Sequence, residues 1–130
     1  MARAHVAKQL VAKIPARVGL LADVAEAIRQ AGVNITAVSA YERDGVGKFL
    51  LVTSDNAKAT AALGRLNAEV AEKTVVAIEM LDEPGALEGV ARTIAEADVN
   101  IEYSYGTAAS GGKSTIVFKT ADDAKVAGLF

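Results

Sequence analysis

The chain repeats itself. A shift of 66 residues lays residues 14–35 on residues 80–101, and nine of those 22 positions are identical. The matched pairs are Gly19/Gly85, Leu21/Leu87, Val24/Val90, Ala25/Ala91, Ile28/Ile94, Ala31/Ala97, Val33/Val99, Asn34/Asn100 and Ile35/Ile101. About two chance matches are expected at this composition, so the pattern reads as a duplication. The same shift places Phe49-Leu50-Leu51-Val52 on Thr115-Ile116-Val117-Phe118, and one added residue brings Asp55-Asn56-Ala57-Lys58 onto Asp122-Asp123-Ala124-Lys125. A chain of 130 residues is therefore expected to hold two very small units instead of one ordinary domain.

Within each unit the hydrophobic period alternates. Residues 6–14 are rich in β-forming types and lead into Pro15, which cannot sit inside a helix. From Gly19, the spacing of Leu21, Val24, Ile28 and Ala31 predicts one apolar stripe on a helix, ended by Gly32. Residues 33–41 read as a strand, Arg43-Asp44-Gly45 as a turn, and residues 48–53 as a second strand. Ser54 or Asp55 caps a helix whose Ala59, Ala62, Leu63 and Leu66 share a face. The second unit repeats this order: a strand over 74–81, a helix over 86–97, strands over 99–105 and 114–120, and a last short helix from Asp122.

Each unit is thus β-α-β-β-α, which a closing strand turns into the ferredoxin-like βαββαβ arrangement. The fold class is α+β: two such units in tandem, antiparallel sheets with helices on one face, divided as residues 1–69 and 70–130. Two complete units need eight strands and the sequence supplies seven, counting the stretch 70–81 once for each unit. The stretch 70–81 must close one unit, open the other, or do both, and the last unit lacks a closing strand after its final helix. An open sheet edge invites pairing with another chain, so a homodimer is expected.

Charge narrows the function classes. Lys and Arg number 14 against 16 Asp and Glu, a net charge of −2, where a protein that neutralises nucleic-acid phosphates carries a basic surplus. The halves differ: residues 1–69 hold nine basic and six acidic side chains, residues 70–130 five and ten. The asymmetry reads first as a matter of which surfaces are solvated, with complementary faces in an oligomer as the alternative. No Cys is present, so there is no disulfide framework, thiolate nucleophile or sulfur-ligated metal. The first residues are too charged for a signal peptide and no apolar run approaches a membrane span, which points to the cytoplasm, away from membranes. With 27 Ala and no Trp, the core is expected to be thin, with helices lying close on the sheets.

The motifs that resemble catalytic or cofactor sites fail on inspection. Gly106 to Gly112 encloses five residues where a phosphate loop has four, and Lys113-Ser114 runs into a strand instead of a helix. His5 is the only histidine and has no companion ligand for a metal. Tyr103 and Tyr105 share a strand face but lack the basic surroundings of a base-stacking platform. No cofactor, metal or catalytic residue is expected.

What remains is the duplicated turn between first strand and first helix, Leu81-Asp82-Glu83-Pro84-Gly85-Ala86-Leu87 in the second unit. Pro84 rigidifies it, Gly85 permits a close backbone approach, the helix amides suit a carboxylate and Asp82 suits an ammonium. The ordered set Asp82, Pro84, Gly85, Leu87, Val90, Ile94, Val99, Asn100, Ile101 resembles the signature of the ACT domain, a small-molecule-binding regulatory module. Gly19, Leu21, Val24, Ile28 and Val33-Asn34-Ile35 match it more loosely, and the whole chain is similar to small bacterial proteins made of two ACT domains.

The resemblance implies sheets joined side by side and amino-acid effectors bound at the interface. Carried across, it nominates Asp82, Glu83, Gly85 and Asn100 in the second unit, and Arg17, Gly19 and Asn34 in the first. The first unit departs from the signature with Ala16 in place of Asp82 and Val18 in place of the Pro. Each Asn also has a plainer role open to it, bonding the backbone of the adjacent turn. The expected function is a non-catalytic sensor of a free amino acid that regulates a metabolic enzyme partner. The alternative is a ligand-independent dimeric interaction module.

Overall fold

The computed structural model describes residues 2–130. The order is β1 (Arg3–Pro15), α1 (Leu20–Gln30), β2 (Ile35–Arg43), β3 (Val46–Thr53), α2 (Asn56–Gly64), β4 (Glu69–Leu81), α3 (Ala86–Glu96), β5 (Ile101–Gly106), β6 (Lys113–Thr120) and α4 (Asp123–Ala127). Six strands serve two units because β1 and β4, at 13 residues each, both divide between them.

One unit is residues 8–73. Its strand order is β2-β3-β1-β4, with β4 represented by its opening residues 69–73. The β2–β3 hairpin turns on Asp44 and Gly45, both at positive φ (54° and 79°), as a two-residue turn requires. Even-numbered residues of β1 (Leu10, Ala12, Ile14) join Phe49 and Leu51 of β3 beneath Leu20, Val24 and Ile28 of α1 and Ala59 and Leu63 of α2. The stripe on α1 is set by Leu20 (6% exposed), whereas Leu21 is 57% exposed and faces away. Small residues bring chains close, as expected of so much Ala: Ala59 and Ala62 are buried on α2. At Gly47 of β3 a Cβ would meet Leu20 Cδ2 at 2.8 Å, so the tip of Leu20 packs over the glycine and would have to shift for a larger residue.

The other unit is residues 74–130 together with the chain's beginning, through Ala7. Its strand order is β1-β4-β6-β5, the β1 position being filled by residues 3–7. Val76, Ile78 and Met80 of β4, Phe118 of β6, Val90 and Ile94 of α3 and Val126 of α4 form its core, with Ala2 and Ala4 packed against it. Among the described residues no strand follows α4, and residues 3–7 of β1 take the closing position beside β4. The division expected at 69/70 is accordingly displaced, since Val70 packs into the first unit's core and Ala4 into the second's. The sheet edge that motivated a dimer is filled from within.

The duplicated Asp-x-Ala-Lys segments cap both short helices. Asp55 accepts the Lys58 N–H and Asp122 the Lys125 N–H, each at 3.1 Å. Beside the second cap, Asp123 accepts hydrogen bonds from Lys119 Nζ (2.7 Å), Thr120 Oγ1 (2.7 Å) and the Thr120 N–H (3.0 Å). Burial pushes the Asp123 carboxyl up, but these bonds outweigh it and hold it below the usual carboxylate range. Its contribution is therefore complete above the ordinary aspartate pKa and is lost as pH falls through the depressed value. Asp123→Ala is expected to cost about 2 kcal/mol at neutral pH. Acid titration of the melting midpoint checks this: the gap between variant and parent should close toward low pH.

Candidate functional site

The two turns before α1 and α3 are built alike. Gly19 and Gly85 occupy the N-cap positions with φ of 84° and 87°, a left-handed conformation that favours glycine. Nothing lies within 4 Å of where a Cβ would stand on either one, so backbone conformation, and not crowding within the protein, selects glycine here. Neither helix receives a side-chain cap, in contrast to the Asp-capped α2 and α4. The first amides of an α-helix have no partner inside it, so α1 and α3 each present donors at their turn. The adjoining hairpin braces each turn: Ala16 N–H donates to Gly45 O at 2.9 Å and Asp82 N–H to Gly112 O at 2.8 Å. The Gly-rich run 106–112 is thus the hairpin connection into β6, with Ser110 bridged to Lys113.

Both turns open on small cavities. Beside the second turn a cavity of about 380 Å³ is lined by Glu83, Gly85 and Ala86 at its polar end and by Met80, Val90 and Phe130 at its apolar floor. Beside the first, one of about 250 Å³ is lined by Arg17 and Glu42 above Leu20, Gly47 and Phe49. Arg17 is also paired with Asp23 in the first turn of α1, so an incoming carboxylate would compete for it. Asp82 is exposed and lies in the turn itself, with no ion pair among the described residues.

The asparagines lie elsewhere. An 11-residue helix rises about 16 Å, which separates Asn34 from Gly19 and Asn100 from Gly85 within one unit. Both are exposed, and the Asn backbone, not the side chain, holds the neighbouring turn. Asn34 N–H donates to Ser54 Oγ at 2.9 Å and Asn34 O accepts the Ser54 N–H at 2.9 Å. Asn100 O accepts the Ala121 N–H at 3.0 Å. Of the seven nominated residues, then, each turn gathers its own, and neither Asn reaches it. Glu42 and Gly47, from the β2–β3 hairpin, and Met80 and Phe130 carried no ligand-site signal in the sequence, because their place depends on tertiary packing.

No helix among the described residues is long and apolar enough to cross a membrane. No curated protein sequence matches the chain. Among solved structures, protein BT0572 from Bacteroides thetaiotaomicron is 29% identical with a TM-score of 0.86, over 97% of this chain and 87% of that one. The regulatory subunit of aspartate kinase from Thermus thermophilus, in a ligand-free form, is 14% identical with a TM-score of 0.70, over 98% and 93% of the two chains. Aspartokinase III of E. coli, in complex with aspartate and ADP, is 14% identical with a TM-score of 0.62, over 97% of this chain and 31% of that one. The last two likenesses concern the fold. The pattern of the ACT domain pair family matches residues 5–129, almost the full length, and the chain belongs to that family.

Proposed function

We propose that the protein is a non-catalytic regulatory module that binds a free amino acid and reports its level to a metabolic enzyme. The observation that carries this reading is the pair of left-handed glycine turns, each leaving a helix N-terminus without a side-chain cap beside a small, apolar-floored cavity. Helix amides receive the ligand carboxylate, and Asp82 and Glu83 face its ammonium. Arg17 and Gly19 form the weaker counterpart in the first unit. Asn34 and Asn100 reach a ligand only from the facing strand of a second copy, so the reading includes a homodimer working in the cytoplasm. The fold likeness to a regulatory subunit of aspartate kinase supports the regulatory role.

A second reading, a ligand-independent interaction module, is favoured by one observation: Leu21 and Leu87, identical in the repeat, are 57% and 52% exposed. A melting scan with each common amino acid at millimolar concentration separates the two. A ligand at ~100 times its dissociation constant adds about 2.7 kcal/mol. Asp82→Ala is expected to abolish the shift while leaving the unliganded midpoint nearly unchanged. A flat scan across all amino acids leaves the interaction module standing alone.

A further inference from the structure

The first unit carries a cluster of cations that the amino-acid reading does not use. In β1 and β3 the core takes Leu10, Ala12, Ile14, Phe49 and Leu51. Alternation along a strand therefore puts Lys13 and Lys48 on the face away from the helices. Val70 of β4 likewise points inward, which places Lys73 on the same outer face. The three lysines, from three strands, line one cavity of about 470 Å³, with Val11 in its floor and Glu69 as the single carboxylate.

Their arrangement is costly as it stands. Lys13 and Lys48 are direct register partners across the β1–β3 pair, and like charges placed opposite each other destabilise a sheet. Among the described residues none of the three lysines forms an ion pair. The Lys48 ammonium instead sits 5.9 Å from the Tyr41 ring centroid. A neighbouring cavity shares Lys13 and Lys48 and adds Arg43 with one carboxylate, Asp44, so its lining keeps a cationic surplus. The repeat makes the contrast plain. At the equivalent positions the second unit has Glu79 and Ser114, and Glu79 is paired with Lys113 at 3.8 Å.

We infer that this cavity is a binding site for a small, multiply charged anion bearing phosphate groups. Ammonium groups act as point charges converging from several directions, which suits a phosphate cluster, whereas a planar carboxylate is best met by an arginine fork. The site shares no residue with the amino-acid turns, so either reading stands without the other.

Calorimetric titration with sodium pyrophosphate, alongside melting midpoints in sodium chloride of equal ionic strength, tests the inference. Pyrophosphate is expected to raise the midpoint beyond the chloride control. Lys48→Gln and Lys13→Gln should each weaken its affinity at least about tenfold. Because each removes a like-charge contact, both should keep or raise the unliganded midpoint at low salt. Lys58→Gln, a charge-matched change on α2, and Asp82→Ala should leave the pyrophosphate response intact. A midpoint no higher than in chloride, or a response unchanged in both Lys13→Gln and Lys48→Gln, overturns the site. Citrate binding as tightly as pyrophosphate overturns the phosphate assignment.

Discussion

A chain that starts at Lys8 is expected to lose amide protection along residues 74–81 while residues 8–15 and β3 keep theirs. Residues 3–7 are the closing strand of the second unit, so their removal strips β4 of a hydrogen-bonding neighbour and leaves its ladder open to solvent. Ala2 and Ala4 also leave the edge of the core around Val76, Ile78 and Phe118. A handful of net hydrogen bonds at about 1 kcal/mol each, with the lost packing, comes to roughly 3–5 kcal/mol. A unit of this size has on the order of 5 kcal/mol in all. The truncation should therefore unfold residues 74–130 or drive them to pair edge to edge with a second copy. Hydrogen exchange read segment by segment decides the matter. Full protection retained over 74–81 would show that the N-terminal strand contributes little to that unit.

The second large effect separates two adjacent leucines. Leu20→Ala is expected to destabilise residues 8–73 by about 2–4 kcal/mol, because Leu20 is buried among Ile14, Val24 and Phe49 and its loss leaves a cavity. Leu21→Ala, on the solvent side of the same turn, should stay within about 0.5 kcal/mol. Urea denaturation of the two variants measures the difference. Equal losses would show that Leu21 is covered in solution, as an interaction module would require.

These two leucines also show where sequence reading reaches and where it stops. The repeat, the αββα order, the Asp44-Gly45 hairpin and the Asp55 cap were legible because each is a local signal with a local cause. The choice between Leu20 and Leu21 was not. A stripe of period 3.6 tolerates a one-residue shift, and the repeat favoured Leu21 for its identity with Leu87. The double use of β4 was one of the readings open to residues 70–81, but that of β1 left no mark, since the strand carries no Pro or Gly at residues 7–8 where it passes from one unit to the other. At the turns, Gly19 and Gly85 stood out through the repeat, whereas their positive φ is a property of the folded backbone. Asn34 and Asn100 were nominated by family resemblance, and only the helix length reveals that they stand at the far end. The lysine cavity was invisible because Lys13, Lys48 and Lys73 are scattered in the chain and meet only through strand pairing.

The split of β1 also bears on the order in which the chain can assemble. Residues 8–73 form an uninterrupted stretch whose contacts need nothing from downstream, so they can fold as soon as they leave the ribosome. Residues 3–7 precede that unit in the sequence, yet the strand that receives them, β4, is complete only after it. Closing that contact spans the whole first unit, which makes the second unit the slower of the two to form. Until then residues 3–7 are an unpaired strand in search of an edge.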